Sequence, residues 1–108
     1  MTATVEPCCE PVLDSVLDVT EAEDLAASFK VLSDPVRLRL FNLVATAAAG
    51  EVCACDLPEA VDRSQPTVSH HLSLLVDAGF VTREQRGRWA WYRPVPARVA
   101  AMRDALAG

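Results

Sequence analysis

Residues Ser64 to Gly79 read SQPTVSHHLSLLVDAG, and this stretch predicts a helix with one buried face and one face suited to DNA. Ser64 is a suitable N-cap, and Pro66 fits the first turn, where backbone N–H groups lack a helical partner. Val68, Leu72, Leu75 and Val76 recur at i, i+4, i+7 and i+8 as one apolar stripe, and Gly79 closes the helix. Gln65, Thr67, Ser69, His70 and Ser73 point elsewhere. They are short hydrogen-bonding side chains, able to meet base edges and phosphates in a major groove. Any amphipathic surface helix divides in this way, so the neighbouring segments decide.

Upstream, Cys55 to Val61 has the length for about two turns of helix, and Asp62-Arg63 makes a short connection into Ser64. A helix, a tight turn and a second helix form the arrangement in which the second element enters the groove and the first braces it. Downstream, Phe80 to Gln85 and Arg88 to Arg93 predict two strands joined at Arg86-Gly87. Gly87 can take positive φ, and Arg83, Arg86, Arg88 and Arg93 bring cations to phosphate or minor groove. Trp89, Trp91 and Tyr92 are read as strand packing rather than a base-stacking platform. The predicted fold class is mostly α with a small β-hairpin, a winged helix-turn-helix.

The stretches DPVRLRLFNLV, EVCACDL and SQPTVSHHLSLLVDAGFV resemble the ArsR (ArsR/SmtB) family of metal-responsive repressors, over roughly residues 20 to 106. EVCACDL is similar to the ELCVCDL box of the arsenic and cadmium/lead branches and is more specific than the helix-turn-helix. The resemblance implies a dimeric winged-helix repressor, released from its operator by a metal or metalloid and not an enzyme.

At 108 residues the chain has room for one core, and no apolar run reaches membrane-spanning length. Its first residues lack a basic region followed by an apolar one, so a cytoplasmic protein is expected. Four cysteines in a reducing cytoplasm point to metal binding or redox sensing rather than structural disulfides. A net charge of −5 opposes DNA binding only as an average. Residues 1 to 36 hold eight acids and one lysine, whereas residues 63 to 93 hold five arginines against two acids. The basic segment is the reading helix plus the wing.

Residues 1 to 19 mix prolines, acids and aliphatics without a period and are expected to form a flexible arm bearing Cys8 and Cys9. Residues 20 to 108 are expected to form the DNA-binding and dimerisation domain. Thr20 and Glu23 have capping-box spacing, with Ala22, Leu25, Phe29 and Leu32 following at helical intervals. Asp34-Pro35 opens a second helix, with Val36, Leu40, Leu43 and Val44 on one side and Arg37 and Arg39 flanking them. Past Pro94 and Pro96, Val99, Met102 and Leu106 mark a short last helix. The stripes on the first and last helices suit either a core or a dimer contact, and the resemblance implies a homodimer.

Thiolates are the soft ligands that arsenic, antimony, cadmium, lead and zinc prefer. Cys53 and Cys55, two residues apart, would diverge by about 200° on a regular helix, so joint ligation needs an irregular backbone. An arm of some ten residues reaches ~30 Å, enough for Cys8 and Cys9 to join them in the same or the partner subunit. Three thiolates suit arsenite, and a fourth suits cadmium or zinc. By the resemblance, Cys55 is the more dependable ligand and Cys53 the other. Pro58 stands where some arsenic repressors carry a third cysteine, and the last helix offers only Asp104 to the zinc, nickel or cobalt site of other branches.

The expected protein is a homodimeric repressor of an arsenical-resistance type, bound to an inverted repeat of double-stranded DNA. Ser64, Gln65, Thr67, Ser69, His70, Ser73, Arg86 and Arg88 would touch DNA. Arsenite or antimonite bound at Cys8, Cys9, Cys53 and Cys55 would release it. Cadmium, lead or zinc, or a redox or persulfide signal through the same thiols, are the competing inputs. A small thiol oxidoreductase is disfavoured, because no thioredoxin-like pattern accompanies the cysteines.

Overall fold

In the computed structural model, which describes residues 16–107, the first helix, α1 (Val19–Leu32), is opened by Asp18 rather than Thr20. Asp18 Oδ1 accepts from the Glu21 backbone N–H at 2.7 Å, and Glu21 Oε1 accepts from the Asp18 N–H at 3.0 Å. The three-residue spacing is the expected one, shifted by two positions. A carboxylate at the earlier site meets the same geometry and gains from the partial positive charge of the helix start. The expected Asp34-Pro35 start of α2 (Pro35–Ala45) is found, with Asp34 Oδ1 accepting from the N–H groups of Val36 and Arg37.

The cysteine segment then departs from helix. Val52–Cys53 form a two-residue strand, β1, followed by a 3-10 turn at Ala54–Asp56 and the short α3 (Leu57–Val61). The chain turns through Asp62, whose φ of 54° is left-handed, a conformation aspartate tolerates better than most residues. Ser64 caps α4 (Gln65–Asp77), and α3 and α4 form the helix-turn-helix. At the far end Gly79, with φ 81°, lets the Phe80 N–H reach the Leu75 carbonyl and the Gly79 N–H reach the Val76 carbonyl.

The wing is β2 (Val81–Arg86) and β3 (Trp89–Pro94), paired antiparallel with Arg86 opposite Trp89. Its loop is therefore Gly87-Arg88, one residue beyond the expected Arg86-Gly87, with Gly87 at φ 62° in the first loop position. The sheet has a third member that periodicity does not reveal: β1 lies on the other edge of β3, with Val52 opposite Tyr92 and Cys53 opposite Trp91. The last helix, α5, spans Pro96–Ala107.

The apolar stripes converge as expected in α2 and α4. Leu40, Val44, Val68, Leu72 and Leu75 are fully buried, joined by Leu57, Val61 and Phe80. Phe41 packs its ring edge against Phe80, centroids 5.3 Å apart. Each such leucine or phenylalanine contributes roughly 1.5–3 kcal/mol by leaving water. The stripe on α1 is different. Only Leu25 and Ser28 are buried there, while Phe29 on α1, Leu38 on α2 and Leu106 on α5 stay exposed. With Leu32, Phe41, Val99 and Met102 they line an apolar groove of about 330 Å³.

Candidate nucleic-acid interface and thiol pair

The buried stripe of α4 fixes what its other side presents. With Val68, Leu72 and Leu75 turned inward, Gln65, Thr67, Ser69, His70 and Ser73 are all exposed, as is the cap Ser64. Local hydrogen bonds orient this face. Ser64 donates its hydroxyl to Thr67 Oγ1 at 3.0 Å, Gln65 Nε2 reaches Ser69 Oγ at 3.5 Å, and the Ser73 hydroxyl is given to the His70 carbonyl at 2.7 Å. The adjacent histidines lie in different surroundings. His70 is exposed, and His71 is half-buried with Nδ1 3.2 Å from Arg37 Nη1.

Between α4 and the wing lies a cleft of about 460 Å³, lined on one side by Gln65, Ser69, Ser73 and Asp77 and on the other by Arg83, Gln85, Arg88 and Trp89. Tyr92 is buried and Trp91 half-buried, so strand packing describes those two rings. Trp89 departs from that expectation: it is 41% exposed and faces the cleft. Arg83 and Arg88 form no ion pair among the described residues.

Arg86 is differently placed. Its two terminal nitrogens meet both oxygens of Glu51 at 2.8 Å, one of them also meets Glu84, and its guanidinium lies 4.9 Å from the Trp91 ring centroid. Arg93 Nε reaches the same Glu51 carboxylate at 2.9 Å. Hydrogen bonds from Arg86 and then Arg93 hold the Glu51 carboxyl down to about 2, and Glu51 and Glu84 raise Arg86 in turn. Sequence patterning gave Glu51 no role. A lone acid after a run of alanines reads as a solvated loop residue until the fold brings two wing arginines to it.

Two arginines of α2 were likewise unassigned by pattern. Arg37 donates from Nε to the Val31 carbonyl at 2.8 Å as well as meeting His71, and Arg39 donates to the Ala60 carbonyl at 2.9 Å. They lash the bracing and reading helices to α2. Backbone hydrogen bonds from Arg37 and Val36, with the charge of Arg37, hold the Asp34 carboxyl below its ordinary value against the opposing effect of burial.

Cys53 is buried and Cys55 exposed, at the junction of β1 with the 3-10 turn. The irregular backbone overturns the divergence that a regular helix would impose. The Cα atoms are 5.2 Å apart, the two Sγ atoms are joined as a disulfide, and Cys53 Sγ accepts from the Cys55 N–H at 3.2 Å. Cys8 and Cys9 lie outside the described residues. No helix among the described residues is long and apolar enough to cross a membrane.

Residues 34–83 match the model of the bacterial regulatory proteins of the arsR family. An arsenical resistance operon repressor of Staphylococcus aureus is 44% identical over 71 residues, covering 66% of this chain and 65% of that protein. The arsenical resistance operon repressor of Bacillus subtilis is 35% identical over 79 residues, covering 70% and 73%. Among solved structures, the AntR antimony-specific transcriptional repressor superposes with a TM-score of 0.69 at 29% identity, covering 98% of this chain and 93% of that one. The chain thus spans slightly under two thirds of the length of the Staphylococcus aureus relative. These relatives are named for transcriptional regulation and not for catalysis. The arsR-family match extends from the Asp34 cap through the cysteine segment and α4 into the wing, and the chain belongs to the ArsR family of bacterial regulatory proteins.

Proposed function

We propose that the chain is a homodimeric repressor that holds an inverted-repeat operator in double-stranded DNA and releases it when arsenite or antimonite is captured by its cysteines. The observation that carries this reading is the placement of an exposed polar helix face and two wing arginines that form no ion pair among the described residues around one cleft, with a converging thiol pair where the edge strand of the same sheet passes into the 3-10 turn. In that pose α4 enters the major groove. Gln65, Thr67, Ser69 and His70 read base edges, Ser64 and Ser73 meet the backbone, and Arg83 and Arg88 approach flanking phosphates. Arg86, held by two carboxylates, serves the shape of the wing more than the DNA. The apolar groove bounded by Phe29, Leu38 and Leu106 is the surface for the second copy, which sets two reading helices ~34 Å apart.

In the reduced protein Cys53 and Cys55 supply two soft thiolates, and Cys8 or Cys9 of the arm supplies a third for the pyramidal geometry of trivalent arsenic or antimony. The names of the Staphylococcus aureus, Bacillus subtilis and AntR relatives support this choice of effector. Fluorescence anisotropy of the reduced protein on a labelled promoter fragment tests it: near-stoichiometric arsenite should release the DNA. Tight binding indifferent to arsenite and antimonite but lost to cadmium, lead or zinc would move the site to another ion.

The sulfur–sulfur bond favours a second reading, in which the same pair senses oxidant. Two thiols give two protons and two electrons to hydrogen peroxide, yielding one disulfide and two waters. Peroxide that releases operator DNA at lower doses than arsenite would make this the primary input.

A further inference from the structure

Glu51 sits two positions before Cys53, so in the extended run into β1 the two side chains fall on the same side of the strand. One carboxylate at this point grips both strands of the wing, Arg86 at the end of β2 and Arg93 on β3, at 2.8 to 2.9 Å. Its side chain is only 18% exposed, so the grip is partly shielded from solvent. Cys53 itself stands opposite Trp91, and Trp91 lies beneath the Arg86 guanidinium. The thiol segment is thereby tied to the wing at three places within two residues of chain. Its route to the reading helix runs instead through the 3-10 turn and α3.

We propose that Glu51 is a positioning residue that carries the state of the Cys53–Cys55 pair to the wing, so that thiol capture releases DNA by loosening the wing as well as by disturbing the bracing helix. The proposal rests on the repressor reading above. Ligand bonds that re-aim the Cys53 and Cys55 sulfurs displace β1 along β3. A bidentate ion pair made by the residue next to that short strand does not survive a shift of an ångström or two, because its two parallel hydrogen bonds need both oxygens in place. Once Glu51 lets go, Arg86 and Arg93 no longer hold β2 and β3 against the edge strand, and Arg83 and Arg88 lose their fixed position beside α4.

The readout is a ratio: operator Kd with saturating effector divided by operator Kd without it. Removing one negative charge changes DNA affinity through the general field, and that change cancels in the ratio. Two isosteric variants of the full chain are compared with the wild type, Glu51→Gln and Glu84→Gln. Both remove one carboxylate from Arg86, but only Glu51 connects to β1. Arsenite is titrated into the fully reduced proteins, because the disulfide state keeps the Glu51 grip intact, and urea unfolding checks that each variant is folded. The expected result is that Glu84→Gln keeps the wild-type ratio within twofold and Glu51→Gln lowers it at least fivefold, while arsenite binds the DNA-free Glu51→Gln protein as it binds the wild type. An unchanged ratio in Glu51→Gln, or an equal drop in both variants, overturns the proposal and leaves the repressor reading standing. A reduced wild type indifferent to arsenite overturns the thiol-capture reading and the proposal with it.

Discussion

Arg37 Nη1 lies 3.2 Å from Nδ1 of His71, and through this contact the second helix grips the reading helix from its inner side. The same side chain donates to the Val31 carbonyl at the end of α1, so one arginine closes the junction of three helices. Arg37→Ala strips the donor from both groups in a half-buried setting. The expected loss is about 1–3 kcal/mol in urea unfolding, with weaker operator binding. Arg37→Lys should recover little, because one ammonium group does not reproduce the fork.

Asp34 caps α2 through two backbone N–H groups, and Asp34→Ala should cost about 1 kcal/mol at neutral pH. The sign of its pH dependence follows from the lowered carboxyl. A carboxylate depressed in the folded state contributes fully above its unfolded value and loses that contribution as pH falls through the folded one. The stability gap between wild type and Asp34→Ala should therefore hold from neutral pH down to the ordinary carboxylate range and narrow below it. Chemical denaturation at a series of pH values measures the gap.

Cys55→Ser should abolish release by arsenite while leaving operator affinity in the absence of effector within a few-fold, since Cys55 is exposed and outside the core. Wild-type protein oxidised before the titration should also ignore arsenite, because both sulfurs are then committed to each other, and thiol reductant should restore the response. An oxidised protein that still binds arsenite with full affinity would remove Cys53 and Cys55 from the ligand set.

On DNA, base-reading and phosphate-binding residues should separate. Gln65→Ala or Ser69→Ala should cost about 1–3 kcal/mol on the operator and little on random sequence. Arg88→Ala, at the wing loop, should weaken both alike and lower the salt slope by about 0.9 for a single phosphate contact. The corresponding change at Arg86 should instead act through protein stability and wing position, since that guanidinium is already engaged by Glu51 and Glu84.

What periodicity and capping chemistry encode was legible in the sequence. The α4 stripe, the Ser64 and Asp34 caps and the Gly79 terminus all depend on residues within a turn or two of one another. The wing was legible in kind but displaced by one residue, because Gly87 fits either of two adjacent loops and only the pairing of Arg86 with Trp89 chooses between them. The β1 strand was invisible, since two residues have no period and their partner lies far along the chain. For the same reason the sequence leaves the thiol pair conditional, divergent on a regular helix and convergent only on an irregular backbone, and the backbone there is a strand passing into a 3-10 turn. Arg37, Arg39 and Glu51 share this fate. A charge on a helix face or loop announces exposure, and only tertiary structure shows which distant carbonyl or guanidinium it meets.

The shortness of β1 has an energetic meaning. Two residues paired on one side only can open while Leu40, Leu72 and Phe80 remain packed, so the cysteine segment belongs to the low-stability end of the molecule's opening spectrum. Native-state amide exchange should show it, with the β1 backbone exchanging through a small local opening and the Leu72 and Phe80 amides only through global unfolding. On the proposed reading the signal is drawn from a segment that can open separately, while the packed core beneath α4 stays closed whether the signal is present or absent.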